Sequence, residues 1–158
     1  MPERLMLSRR FLLLALASLA ACGGGPQAAN NAQDNPPLHH NETPHLRALI
    51  NRYSDHYGVP RSLTHRAIQR ESRYRPEARN GPYFGLMQIL PQTARGMGFR
   101  GAPSELLDAE TNLKYGVKYL RGAWLVSDGS QDRAVKWYAR GYYYEAKKRG
   151  LLKQTGLR

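Results

Sequence analysis

The chain has 158 residues, 41% hydrophobic and 23% charged, with a formal net charge of +12. That length supports one domain with a modest core, and a single cysteine rules out an internal disulfide. The charge favours an anionic polymer or surface as partner. Nucleic acid is not expected, because the basic residues are spread out, their one run is Lys147-Lys148-Arg149, and no nucleic-acid motif accompanies it.

At the N-terminus, Arg4, Arg9 and Arg10 precede an apolar stretch, residues 11–21, too short to span a bilayer permanently. Residues 1–21 read as an export signal. It ends Leu19-Ala20-Ala21-Cys22, which is similar to a bacterial lipoprotein box and makes Cys22 the expected site of lipidation. Removing Arg4, Arg9, Arg10 and Glu3 takes the charge from +12 to +10. Gly23, rather than an aspartate, follows Cys22. By analogy with lipoprotein sorting this places the protein on the periplasmic face of the outer membrane, held to it by lipid. Ser8-Arg9-Arg10-Phe11-Leu12 is also compatible with twin-arginine export. Residues 22–44, the lipidated cysteine and a stretch of Gly, Pro, Asn, Gln and Ala, read as a disordered tether. His39 and His40 lie in it and are expected to be solvated.

The domain is expected over 45–158. Residues 45–57 read as a helix, with Leu46, Leu49, Ile50, Tyr53 and Tyr57 on one side and Gly58-Val59-Pro60 stopping it. A second helix covers 62–71. Leu63, Ala67 and Ile68 form its apolar stripe, and Glu71 continues that stripe, three residues after Ile68 and four after Ala67. The stripe packs inward, so the Glu71 carboxyl should be partly withdrawn from water, which favours its protonated form. The alternative is that the helix ends there and the side chain turns to solvent. Pro76 and Asn80-Gly81-Pro82 are turn chemistry. The chain then returns as Gly85-Leu86-Met87-Gln88-Ile89-Leu90-Pro91, placed to cross a cleft with Glu71 at its floor. A short helix follows at 91–98. Asp108 caps a longer one to 126 with stripe Leu113, Val117, Leu120 and Trp124, and Ser130 caps a single final helix, 131–148. No run of alternating strands is present, so the class is mainly α.

Glu71-Ser72, Tyr74, Pro76, Gly85-Leu86-Met87-Gln88, Pro91 and Thr93-Ala94 form one ordered motif. In it the chain resembles the soluble lytic transglycosylase family, related to goose-type lysozyme. The resemblance continues through Asp108, Asn112, Gly116, Tyr119-Leu120, Ala134, Tyr138 and Gly141, and covers most of the chain after about His45. It implies a lysozyme-like helical domain with a catalytic cleft, acting on peptidoglycan glycan strands. The expected reaction cleaves the β-1,4 bond between N-acetylmuramic acid and N-acetylglucosamine and forms 1,6-anhydromuramic acid ends. Two departures are present. Pro82-Tyr83 replaces a small pair before Gly85 and is expected to reshape a subsite. Ala139 replaces an asparagine that the family carries after its tyrosine.

The resemblance makes Glu71 the catalytic acid. It places Ser72, Met87 and Gln88 at the cleft and points the Tyr138 hydroxyl toward Glu71; without the resemblance, Tyr138 reads as a core tyrosine with a satisfied hydroxyl. Gln88 offers both a donor and an acceptor to sugar groups. Met87 is either cleft wall or core filler. Tyr83 and Tyr142 are expected near saccharide, Tyr142 because it lies one helical turn after Tyr138; packing of the last helix is the alternative. Gly85 serves backbone conformation. No cofactor and no metal is expected, since the histidines lack ligand spacing, and the chain should act as a monomer. A hydrolytic muramidase and a non-catalytic peptidoglycan-binding envelope lipoprotein are the competing readings.

Overall fold

A computed structural model describes residues 35–157. The expected signal sequence, Cys22 and the first part of the tether lie outside the described residues. The domain is mainly helical, as the sequence implied.

Helix α1 (Pro44–Tyr57) begins where Thr43 Oγ1 accepts from the Leu46 amide, with Pro44 supplying a preset φ, and ends at left-handed Gly58. Helix α2 (Arg61–Glu71) follows, and then an antiparallel hairpin of two-residue strands, β1 (Arg79–Asn80) and β2 (Tyr83–Phe84). Then come α3 (Pro91–Gly96), a 3-10 turn at Pro103–Leu107, and α4 (Ala109–Leu125), which starts where Asp108 accepts from the Thr111 amide. Helices α5 (Gln131–Arg140), α6 (Tyr143–Lys148) and α7 (Leu152–Thr155) follow.

Helix α4 is the central strut and packs against α1, α3, α5 and α7. Its stripe Leu113, Val117 and Leu120 meets Leu49 and Ile50 of α1, Leu63, Ala67 and Ile68 of α2, and Ala134 and Tyr138 of α5 in one core. Each large aliphatic side chain so buried contributes about 1.5–3 kcal/mol. A second, smaller cluster of Phe84, Ile89, Ala94, Phe99 and Leu106 lies under the loop that follows the hairpin. The site therefore sits on a loop packed from below.

Two expectations need correction. The final helix is not continuous. It breaks at Gly141, whose φ of +84° and ψ of 149° are open to glycine and strained for any other residue. Residues 36–43, expected to belong to a disordered tether, are ordered against the domain. Arg47 donates to the Pro36 carbonyl and forms a two-pronged pair with buried Glu42, at 2.6 Å through each nitrogen. Asn41 donates to the Arg73 carbonyl, and the His39 ring stacks on Tyr74 with centroids 4.9 Å apart, so His39 is only half-solvated. Residues 36–43 thus pack against the start of the domain. The sequence hides this because Glu42 finds its partners, Arg47 and His65, only after α1 and α2 have come together.

Candidate active site

Glu71 is the last residue of α2, and the geometry around it comes from how that helix stops. The Ser72 and Arg73 amides both donate to the Ile68 carbonyl, and Arg73 and Tyr74 then take left-handed φ values of 51° and 60°. For residues with a side chain this costs on the order of 1 kcal/mol each. Tyr74 is held there by burial and by its hydroxyl, 3.0 Å from His65 Nδ1, and burial pushes its phenol pKa up to about 12. The sharp stop leaves the Glu71 side chain at the edge of the apolar stripe, with 22% of it exposed. Burial raises its pKa above the ordinary carboxyl value, while the Arg70 guanidinium 3.7 Å away opposes part of that rise.

Glu71 stands between two adjoining depressions. One, of about 590 Å3, is lined by Arg70, Tyr83, Ile89, Leu90, Thr93, Tyr119, Tyr138, Ala139, Arg140 and Gly141. The other, of about 460 Å3, is lined by Arg75, Glu77, Ala78 and Arg79. Glu71, Asn80 and Gln88 belong to both. A groove that runs on past an acid in two directions suits an extended polymer, which a closed pocket for a single sugar does not.

The loop that forms the groove floor is clamped from behind. Asn112, fully buried on α4, accepts from the Met87 amide at 2.8 Å and donates to the carbonyls of Phe84 at 2.8 Å and Leu106 at 2.7 Å. Gly85 lies directly over it. A Cβ at Gly85 would fall 2.3 Å from Asn112 Nδ2, and its φ of +72° is left-handed, so space and backbone both require glycine here. From the other side the Tyr138 hydroxyl donates to the Met87 carbonyl at 2.7 Å.

The family model described as a transglycosylase SLT domain matches residues 48–154, which include the acid, the clamped loop and both groove walls. The chain belongs to the transglycosylase SLT family. No solved structure matches it. The fold is the lysozyme-like SLT type, and peptidoglycan is the substrate class that the family implies.

Within this SLT domain the expected site residues fall into two groups. Glu71, Gln88 and Tyr83 line the groove, Tyr83 with 42% of its surface exposed and at the position where Pro82-Tyr83 departs from the family pattern. Ser72, Met87 and Tyr142 do not line it. Ser72 is buried, and its hydroxyl donates back to the Ile68 carbonyl at 3.4 Å. Met87 is core filler with no exposed surface, packed so closely on Gly116 that a Cβ there would meet its Sδ at 2.8 Å. Tyr142 is buried because the break at Gly141 removes it from the face of Tyr138. Its ring lies over Gly122, and its hydroxyl donates to the Tyr119 carbonyl at 2.8 Å.

Two expected roles change. The Tyr138 hydroxyl makes no hydrogen bond to the Glu71 carboxyl; its proton is committed to the Met87 carbonyl. The ring does line the groove, close enough that the Glu71 charge adds to the burial holding its phenol well above the ordinary value. Gln88 is an acceptor only. Its Nε2 donates to the Ala78 carbonyl at 3.0 Å and the Gly85 carbonyl at 2.8 Å, so both amide protons are spent and Oε1 alone can meet a ligand. Both partners being carbonyls fixes the orientation of that amide.

Tyr119 was missed as a site residue. It lines the groove, its ring packs edge-on to Tyr138 with centroids 5.4 Å apart, and burial raises its phenol pKa. Its hydroxyl makes no hydrogen bond to the described residues, so it is a donor facing the groove. The helical stripe gave no signal, because Tyr119 sits beside Leu120 at the edge of the buried face of α4. The Tyr119→Phe variant should melt within about 0.5 kcal/mol of the wild type. Its KM for glycan strands should rise with kcat little changed, as steady-state kinetics beside a thermal melt would register.

Proposed function

We propose that the chain is a lytic transglycosylase that cuts the β-1,4 bond between N-acetylmuramic acid and N-acetylglucosamine and leaves 1,6-anhydromuramic acid ends. The observation that carries this reading is a half-buried carboxyl, with a raised pKa, between two confluent depressions. Among the described residues it is the only acid lining the first of these.

Glu71, protonated, donates to the bridging oxygen, and the bond from that oxygen to the muramic C1 breaks. The C1 centre becomes oxocarbenium-like. The C6 hydroxyl of the same sugar attacks C1, and its proton passes to the Glu71 carboxylate, restoring the acid. Water takes no part, and the internal nucleophile has the advantage of proximity, worth several kcal/mol of barrier on the order of well-oriented intramolecular reactions. Gln88 Oε1 accepts from a sugar hydroxyl or acetamido N–H, and Tyr119 donates.

The second reading is hydrolysis. It is favoured by Glu77, which is exposed on the wall of the other depression and could activate a water there. Mass spectrometry of the products released from purified sacculi separates the two. Anhydro ends are expected. Reducing muramic ends that disappear in Glu77→Gln protein would establish the hydrolase instead. Anchoring through Cys22, residence on the periplasmic face of the outer membrane and a monomeric state belong to the same proposal. The first two rest on Leu19-Ala20-Ala21-Cys22 and Gly23.

A further inference from the structure

Arg140 lies on the wall of the first depression and Arg79 on the wall of the second, so they flank Glu71 from its two sides. Both are exposed. Several exposed arginines of this domain are matched to acids, such as Arg149 with Asp128 and Arg66 with Asp132. Neither Arg79 nor Arg140 has an ion pair or a side-chain hydrogen bond among the described residues. Each is instead laid over an aromatic ring. Arg140 Cζ is 3.8 Å from the Trp137 centroid, and Arg79 Cζ is 4.6 Å from that of Phe84, its strand partner across the hairpin.

The stacking has a specific effect. A ring face attracts a guanidinium and fixes its plane, yet leaves the charge unneutralised and the in-plane N–H groups pointing outward. Such a fork matches a carboxylate through two parallel hydrogen bonds. An aromatic platform thus presents a cation where an acidic partner would have consumed it. Neutral sugar hydroxyls do not require this arrangement.

We infer that Arg79 and Arg140 bind carboxylates carried by the glycan strand on either side of the bond to be cut. This rests on the reading that a peptidoglycan strand occupies the groove. The muramic lactyl group supplies a carboxylate where the peptide stem has been removed. Where the stem remains, that carboxyl is an amide and the stem itself carries carboxylates further out. Both sources offer the same group to the same fork. A polymer of N-acetylglucosamine alone offers none, so the two arginines select anionic strands over neutral ones.

The test is binding of soluble strands to full-length protein in a Glu71→Gln background, which keeps the strand intact. Three preparations are compared: native strands, strands stripped of their stems, and strands with every carboxyl converted to an amide. Arg79→Gln and Arg140→Gln should each weaken binding of carboxylate-bearing strands roughly three- to tenfold. Neither should affect the amidated strands, and Arg140→Lys should recover part of the loss. A larger effect on stripped strands assigns the contact to the lactyl group, and a larger effect on native strands assigns it to the stem. Equal losses on amidated and carboxylate-bearing strands, or no loss on either, would overturn the inference. Both side chains are exposed, so matching melting temperatures will show that the variants fold. Because the readout is binding, a wild-type enzyme yielding no anhydro product would sink the proposed reaction and leave this result standing.

Discussion

Glu71→Gln should lower turnover of purified sacculi by about a hundred- to ten-thousand-fold, the usual contribution of a positioned acid, while strands still bind. The amide keeps the shape of the side chain and cannot transfer the proton. The pH profile supplies a second check. The donor must be protonated, so kcat/KM should fall as pH rises through the Glu71 pKa, which burial sets above the ordinary 4.5. Stability carries the same signature with a definite sign. The folded chain holds the Glu71 proton more tightly than the unfolded one, so this group costs stability as pH rises from the ordinary carboxyl value through the raised one. The Glu71→Gln protein should therefore melt higher than wild type at neutral pH. The gain should vanish well below pH 4.5, where the carboxyl is protonated in both states. Undiminished turnover in the variant would remove Glu71 from the mechanism.

The largest effect on stability is expected at Asn112, which never meets the substrate. One buried amide there satisfies the Met87 N–H and the carbonyls of Phe84 and Leu106. Asn112→Ala strands all three groups in the core, and each uncompensated group costs about 1–3 kcal/mol. A loss of about 3–5 kcal/mol is expected, read from the midpoint of urea unfolding. Asn112→Asp is the sharper variant. It keeps the volume but sets an acceptor against two carbonyls, so hydrogen bonding and cavity formation are separated. Its kcat/KM should fall as well, because the clamped loop carries Gln88 and the carbonyl that orients Tyr138. An Asn112→Asp protein that unfolds at the wild-type midpoint would show that the clamp carries no weight.

Local chemistry made the acid and its helix legible. The stripe of Leu63, Ala67 and Ile68 is buried as its spacing required, and Glu71 falls at its edge. The caps at Asp108 and Ser130 are where the side-chain chemistry put them. What could not be read depends on contacts between distant segments or on a single backbone angle. A glycine inside a helical pattern does not announce whether it will be helical, so the break at Gly141, and with it the burial of Tyr142, was hidden. Met87 and Ser72 fall within the family motif, yet their places are set by Gly116 and Ile68. Gln88 lost its donors because the left-handed turn at φ 45° folds the side chain back on its own loop. Asn112 was visible only as a matching residue; its role needs three partners from two other segments.

Tyr142 fills the space above Gly122 and grips the backbone of Tyr119, while Tyr119 and Gly141 both face the groove. The rim against which a sugar would lie is thus latched by the stretch that follows Gly141. A stop codon just after Gly141 would spare every residue that lines the groove and still leave that rim unfastened.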